Sequence, residues 1–225
     1  MEILFKQATV HFEGRVAIEP LTLALTERRV GIIGLNGSGK TTLARLMNGL
    51  IVPTHGNVTV NGIDTATEGD AVRRKVGFIF QNPQNQIILP ILHEDIALGL
   101  KSRGRPANEI DAAISTVLAR FSIAHLATRR AHELSGGELQ LAALASVLVT
   151  HPEIVILDEP TNQLDLKNRG LVERTIHELV EDVIVVSHDL DMLQEFDRVL
   201  LFDNGRLVAD DVPARTIARY RELAG

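Results

Sequence analysis

The sequence has no cysteine, no surplus of basic charge and no apolar run long enough to span a bilayer. Without cysteine there is neither a disulfide framework nor a thiolate metal site, which fits a reducing cytoplasm. With 23 lysines and arginines against 29 acids the net charge is -6. A general nucleic-acid surface needs a basic face to displace counterions, so no nucleic-acid partner is expected. The most apolar stretch, Leu139 to Val149, is broken by Gln140 and Ser146 and falls short of the ~20 residues of a spanning helix. Met1 to Gln7 turns polar too soon for a secretory signal, so any membrane role is expected to go through a partner. Internal repeats and low-complexity linkers are absent as well. What remains is 225 residues at 45% hydrophobic composition, enough for one core with a subdomain.

Against those absences stands one dense motif, Gly34-Leu35-Asn36-Gly37-Ser38-Gly39-Lys40-Thr41. Arg29 to Ile33 before it reads as a strand and Thr42 to Met47 after it as a helix, giving strand, loop, helix. Glycines let such a loop turn successive N–H groups inward around a polyphosphate, whose charge also faces the helix N-terminus. Lys40 is placed to reach the β- and γ-phosphates. Thr41 can offer its hydroxyl to Mg²⁺, a hard cation that bridges those phosphates. A glycine-rich turn that matches by chance is the plainer account of the same residues.

Residues 2 to 30 alternate apolar and polar positions around turn signals at Glu13-Gly14-Arg15 and Glu19-Pro20, the pattern of antiparallel strands leading into the loop. Phe12, just before the first turn, either stacks on an adenine ring or packs in the core. Gly49 and Pro53 end the helix, and Asn57 to Gly62 reads as a strand entering a tight turn. Lys75 to Phe80 is a buried-type strand that stops at the polar run Gln81 to Gln86. From Ile91 to about Leu126 the apolar spacing is helical, with Gly104-Arg105-Pro106 between two helices. The span from about 84 to 150 is therefore expected to be a helical insertion in a single domain covering 1–225. Within it, Ile87 to Leu92 is either core or, kept near the surface by its flanking amides, a docking groove for a partner's helix.

Leu134-Ser135-Gly136-Gly137-Glu138 opens a further helix running to Val149, and Ser135 with Glu138 has the spacing of a capping box. Two glycines are poor in a first helical turn; they suggest a close approach to N–H groups, which attract an anion. Ile154 to Leu157 is a short buried strand ending in Asp158-Glu159, and carboxylates at the C-terminal edge of a parallel sheet point toward the ligand crevice. There Asp158 can hold Mg²⁺ through water and Glu159 can orient or deprotonate an attacking water. A helix cap is the plainer alternative. Val183 to Val186 is another buried strand, and His188 beyond it either donates to a γ-phosphate or is an ordinary loop residue. Arg198 to Ala209 reads as a hairpin around Asn204-Gly205. A terminal helix from Ala214 to about Leu223 is expected to complete the chain, with no further domain.

In order and spacing, Gly34 to Thr41, Gln81, Leu134 to Glu138, Ile154 to Glu159, Asn162-Gln163-Leu164-Asp165 and His188 resemble the ATP-binding subunits of ABC transporters along nearly the whole chain. The resemblance implies an α/β fold: a P-loop NTPase (RecA-like) core with an antiparallel β subdomain and a helical subdomain. It implies an ATPase that uses ATP and Mg²⁺, paired head to tail as a homodimer around two nucleotides. In its terms Phe12 stacks on adenine, and Gly34, Leu35, Asn36, Gly37, Ser38, Gly39, Lys40, Thr41 and Thr42 hold the nucleotide. Thr41, Gln81 and Asp158 serve the metal, while Glu159, His188 and Gln81 serve hydrolysis. Leu134, Ser135, Gly136, Gly137 and Glu138 contact the partner's ATP, and Asp165 communicates across the dimer. The pairing also has a physical reason. Ser135 to Gly137 are reached through an insertion that projects away from the phosphate loop, so a neighbour's nucleotide fills their anion site.

Phe80-Gln81-Asn82-Pro83-Gln84-Asn85-Gln86-Ile87 is similar to the energising ATPases of energy-coupling factor (ECF) importers, which take up vitamins, cobalt or nickel. These work with a transmembrane coupling protein and a substrate-capture membrane protein, which implies a peripheral place on the cytoplasmic face of the cell membrane. Pro160 to Leu166 and the short C-terminus resemble the biotin-type branch. The ATPase of a conventional importer with a binding protein is the alternative. Two positions depart from the family: Glu138 stands where glutamine is usual, and Leu141 where arginine is usual. Glu138 adds negative charge near the γ-phosphate site and is expected to slow hydrolysis, whereas the retained Lys40, Gln81, Asp158, Glu159 and His188 imply an active enzyme.

Overall fold

A computed structural model describes residues 1–225. β1 (Ile3–Phe12) and β2 (Arg15–Leu25) form a hairpin, and β3 (Arg29–Gly34) leads through the phosphate-type loop into α1 (Lys40–Met47). β4 (His55–Val60) turns into β5 (Ile63–Asp64), and α2 (Gly69–Lys75) precedes β6 (Val76–Ile79). Three helices follow: α3 (Leu92–Ser102), α4 (Ala107–Arg120) and α5 (Gly136–Leu148). The chain ends with β7 (Ile154–Asp158), α6 (Leu166–His177), β8 (Asp182–Val186), β9 (Arg198–Asp203), β10 (Arg206–Asp211) and α7 (Pro213–Ala224).

The larger sheet has the order β10-β9-β3-β8-β7-β6. All its neighbours are parallel except β10, which is antiparallel on one edge. Its parallel strands carry short unbroken apolar runs because both faces are covered, whereas the antiparallel edge strand β10 is half exposed. On β7, Ile154 and Ile156 face a core shared with the smaller sheet, whereas Val155 and Leu157 face a core shared with α3, α4 and α5. β8 repeats this alternation with Ile184 and Val186 against Val183 and Val185. The register decides where chemistry can occur. Val186 is paired with Ile32 on one side and Asp158 on the other, so the segments leaving β3, β8 and β7 emerge side by side at one edge.

The smaller sheet is antiparallel, in the order β2-β1-β4-β5. Pro20, expected in a turn, lies inside β2 instead. β2 is an edge strand, where a proline need cost no ladder bond. The pairs Ala8–Leu21 and Val10–Ile18 leave Glu19 and Pro20 opposite the single residue Thr9, a bulge that absorbs the proline. The bulge frees Glu19 N–H, which donates to Gly205 O at 2.9 Å in the β9–β10 turn.

The polar run after β6 is a short 3₁₀ turn at Pro83–Asn85, and the Asn82 side chain accepts from Gln84 N. α4 buries Ile110, Ile114, Val117 and Leu118, the period visible in the sequence. α2 and α6 carry almost no apolar period, since α2 buries only Val72, and α6 only Val172 and Ile176. No helix is long and apolar enough to cross a membrane.

Candidate functional site

Where β3, β8 and β7 end lies a cleft of about 900 Å³, lined by Phe12, Asn36 to Thr42, Gln81, Glu159, Asn162 and His188 among others. Its floor is the loop between β3 and α1. Gly39 takes φ +104°, and a Cβ there would come within 2.8 Å of Ala17 O, so only glycine lets the loop pass close under β2. The N–H groups of Lys40, Thr41 and Thr42, in the first turn of α1, have no acceptor within the chain. They form an anion site with the helix dipole behind it. Ser38 is 3% exposed and its Oγ has no partner, an orphan that a ligand oxygen would satisfy.

Lys40 Nζ donates to Gly34 O at 2.8 Å and Leu35 O at 3.0 Å. Burial depresses its pKa, while Glu159 and Asp158 oppose the shift. Gly34 and Leu35 thus supply carbonyls to the lysine and do not line the cleft themselves. Asn204-Gly205, expected only as a hairpin turn, supports the loop: Gly205 N donates to Ser38 O at 2.9 Å. No local pattern signals that contact, because the two segments are far apart in the chain. Arg15 also lines the cleft unforeseen; its one local signal is a cation on the same tight turn as Phe12.

Asp158 is 2% exposed, and its Oδ1 accepts from Thr41 Oγ1 at 3.1 Å. Burial raises its pKa against the Thr41 hydrogen bond and the charges of Arg45 and Lys40. Two hard oxygens so placed, with the Gln81 amide on the cleft wall, make a donor set that suits Mg²⁺. Neither acid caps a helix; Asp165 does, accepting from Asn168 N at 2.9 Å at the start of α6.

Glu159 takes φ +52°, a conformation that costs a non-glycine residue roughly 1–3 kcal/mol and recurs at functional sites. Its N–H donates to Val186 O at 2.8 Å, which turns the chain off the sheet edge. Glu159 Oε2 accepts from His188 N at 3.2 Å, and Oε1 lies 3.1 Å from His188 Nε2. Burial pushes the Glu159 pKa up; the His188 N–H and Lys40 restrain it, and Asp158 and Asp189 add to the rise. His188 moves the opposite way, lowered by burial and then by Lys40. The lowered pKa favours the uncharged imidazole, whose Nε2 lies beside the Glu159 carboxylate. A carboxylate with raised pKa beside a neutral imidazole can take a proton from water.

Phe12 is 48% exposed at the cleft, so the core alternative falls away and its ring is free to stack. None of Leu134, Ser135, Gly136, Gly137 and Glu138 lines this cleft. Ser135 caps α5: Glu138 Oε2 accepts from Ser135 N at 2.8 Å and from Ser135 Oγ at 2.7 Å. Those two bonds hold the Glu138 pKa down. Gly137 is buried, and a Cβ there would overlap Asn168 of α6, while one on Gly136 would stand 3.2 Å from Leu164. The close approach inferred at the glycines is thus made, at Gly137, by the chain's own α6. Ile87 to Leu92 divides by residue, with Leu92 wholly buried and Ile88 76% exposed.

The chain matches a family model described as ABC transporter over residues 20–162. It is 64% identical to the biotin transport ATP-binding protein BioM of Rhizobium etli over 224 residues, 100% of both chains. It is 40% identical over 190 residues to the energy-coupling factor transporter ATP-binding protein EcfA1 of Halalkalibacterium halodurans, covering 82% of this chain and 68% of that one. The dimeric structure of MJ0796, a bacterial ABC transporter cassette, superposes with a TM-score of 0.84 at 27% identity, covering 94% of this chain and 98% of that chain. Motif order, sheet edge and similarity from end to end agree, and the chain belongs to the ABC transporter family as an ATP-hydrolysing, ATP-binding subunit.

Proposed function

We propose that the chain is the ATPase of an ECF-type importer and energises the uptake of biotin across the cytoplasmic membrane. The observation that carries this is the identity of 64%, over the full length, to a biotin transport ATP-binding protein. The run Phe80 to Ile87 and the 40% identity to EcfA1 support the importer class. Uptake of labelled biotin by cells carrying this chain and its membrane partners is expected to require Lys40. Uptake of cobalt or nickel without biotin would overturn the cargo and leave the ATPase intact.

Two copies pair head to tail around two ATP. This gives Ser135 to Gly137, which lie outside their own cleft, a nucleotide to contact, and a cassette of the same fold is dimeric. In each site the loop N–H groups, the Ser38 hydroxyl and Lys40 hold the β- and γ-phosphates, and Phe12 stacks on adenine. Thr41, Gln81 and Asp158 would hold Mg²⁺, and its charge would offset that of the phosphates. Glu159 orients the attacking water and takes its proton, and His188 donates to the γ-phosphate. Across the pair, the Ser135 hydroxyl must leave Glu138 before it can serve the partner's phosphate, which makes Glu138 a brake on closure. Asp165 sits at the start of α6 where the two copies communicate.

A transmembrane coupling protein and a substrate-capture membrane protein hold this dimer on the cytoplasmic face, with docking on Gln84 to Leu92. Ile88 is exposed there while its backbone is fixed: Ile88 N and Leu89 N donate to the buried Asp95 Oδ1 at 2.7 and 2.9 Å. Ile88→Glu should therefore keep the fold and the basal ATP hydrolysis of the isolated dimer, yet abolish co-purification with the coupling protein and transport. Loss of basal activity together with the fold would return Ile88 to a structural role and move the docking site elsewhere.

A further inference from the structure

Behind His188 lies an ion-pair cluster that none of these roles uses. Asp189 follows His188 directly, its side chain is 7% exposed, and its Oδ2 pairs with Arg169 Nη2 from the first turn of α6. Arg169 Nε also donates to Glu173 Oε1, one turn further on, at 2.7 Å. Asp189 is held from its own side too. Its N–H donates to Ser187 Oγ at 2.9 Å, and its Oδ1 accepts from Met192 N at 3.4 Å. The loop from Ser187 to Asp191 belongs to no helix or strand, so this carboxylate is its anchor to α6.

The same turn of α6 reaches in a second direction. Arg169 N donates to Asp165 O at 2.8 Å, and the neighbouring Asn168 packs against Gly137 so closely that no Cβ fits. A line of contacts therefore runs from His188 through Asp189 and Arg169 to the start of α5. An ion pair with one partner nine-tenths buried is costly to break, because the remaining charge is stranded. That makes the line stiff in its middle.

We infer that Arg169 is a positioning residue for hydrolysis: paired with Asp189, it fixes the loop carrying His188 against α6 and keeps His188 in reach of Glu159. The inference rests on the hydrolytic role proposed above for His188. It adds that α6 joins a chain's own hydrolytic loop to the segment serving the partner's nucleotide, so the two sites of a dimer are mechanically connected through Arg169.

The test is ATP hydrolysis by the purified complex with its membrane partners. Arg169→Met should lower kcat by roughly 3- to 30-fold, the range of residues that couple elements without touching ligand, with the Kd for ATP unchanged. Arg169→Lys should recover part of the loss, since the charge returns without the fork geometry. Adding Asp189→Asn to Arg169→Met removes the stranded carboxylate; it should restore the thermal midpoint and leave kcat low. In a His188→Ala background, Arg169→Met should have no further effect on kcat. The inference is overturned if the Arg169→Met/Asp189→Asn pair recovers wild-type kcat, if Kd rises as much as kcat falls, or if Arg169→Met costs the same in both His188 backgrounds. If His188→Ala alone keeps wild-type turnover, the role of His188 fails first, and the inference with it.

Discussion

Glu159→Gln should lower ATP turnover by roughly 10²–10⁴, the usual contribution of a positioned base, while ATP still binds. The amide has the size of the carboxylate and its oxygen can still accept from His188 N, so the bend off β7 and the left-handed backbone are retained. What it loses is the capacity to take a proton. The sign of the accompanying stability change is also fixed. Burial raises the Glu159 pKa, so the folded chain disfavours the carboxylate, and the ionised side chain costs stability once the pH is above its raised pKa. Removing the charge relieves that cost, and the thermal midpoint at neutral pH should stay level or rise. With binding intact and hydrolysis blocked, the ATP-bound dimer should accumulate and be visible by size-exclusion chromatography. Turnover within threefold of wild type, measured with the membrane partners present, would remove Glu159 from this role.

The strand ends of this site were legible in the sequence, because a parallel strand buried on both faces must be an unbroken apolar run and its first polar residue must mark the edge. Gly34, Asp158 and Ser187 stand at those transitions, and the register through Val186 brings them together. Two kinds of information were not legible. One is contact between distant segments, such as the Asn204-Gly205 turn under Ser38 or the pairing of Asp189 with Arg169. The other is cost that context cancels. Pro20 reads as a turn until its strand proves to be an edge with a bulge, and Gly137 reads as a poor first-turn residue until Asn168 is found packed against it. α6 stayed hidden because its polar surface leaves only two buried side chains to mark a period, yet it carries Asp165 and Arg169.

Lys40→Ala should abolish productive ATP binding or turnover while barely moving the thermal midpoint of the nucleotide-free chain. The ammonium lies in the cradle between Gly34 O and Leu35 O, close to the free N–H groups of the first turn of α1. It is the one cation on the loop itself. Losing a preorganised donor of this kind costs ~2.7–4 kcal/mol, or about 10²–10³ in rate. Without nucleotide, two opposed terms nearly cancel. Burial lowers the Lys40 pKa, so the charged side chain costs stability below that pKa, and alanine removes the cost. Alanine also leaves the carbonyls of Gly34 and Leu35 short of a donor. A residual of ~1 kcal/mol shifts the midpoint of a chain of this size by only ~2–4 °C. Thermal scans with and without Mg-ATP separate the two roles: the wild type should gain stability from nucleotide and the variant should not. A variant that unfolds far earlier without nucleotide would show that Lys40 holds the loop together and that its phosphate role is secondary.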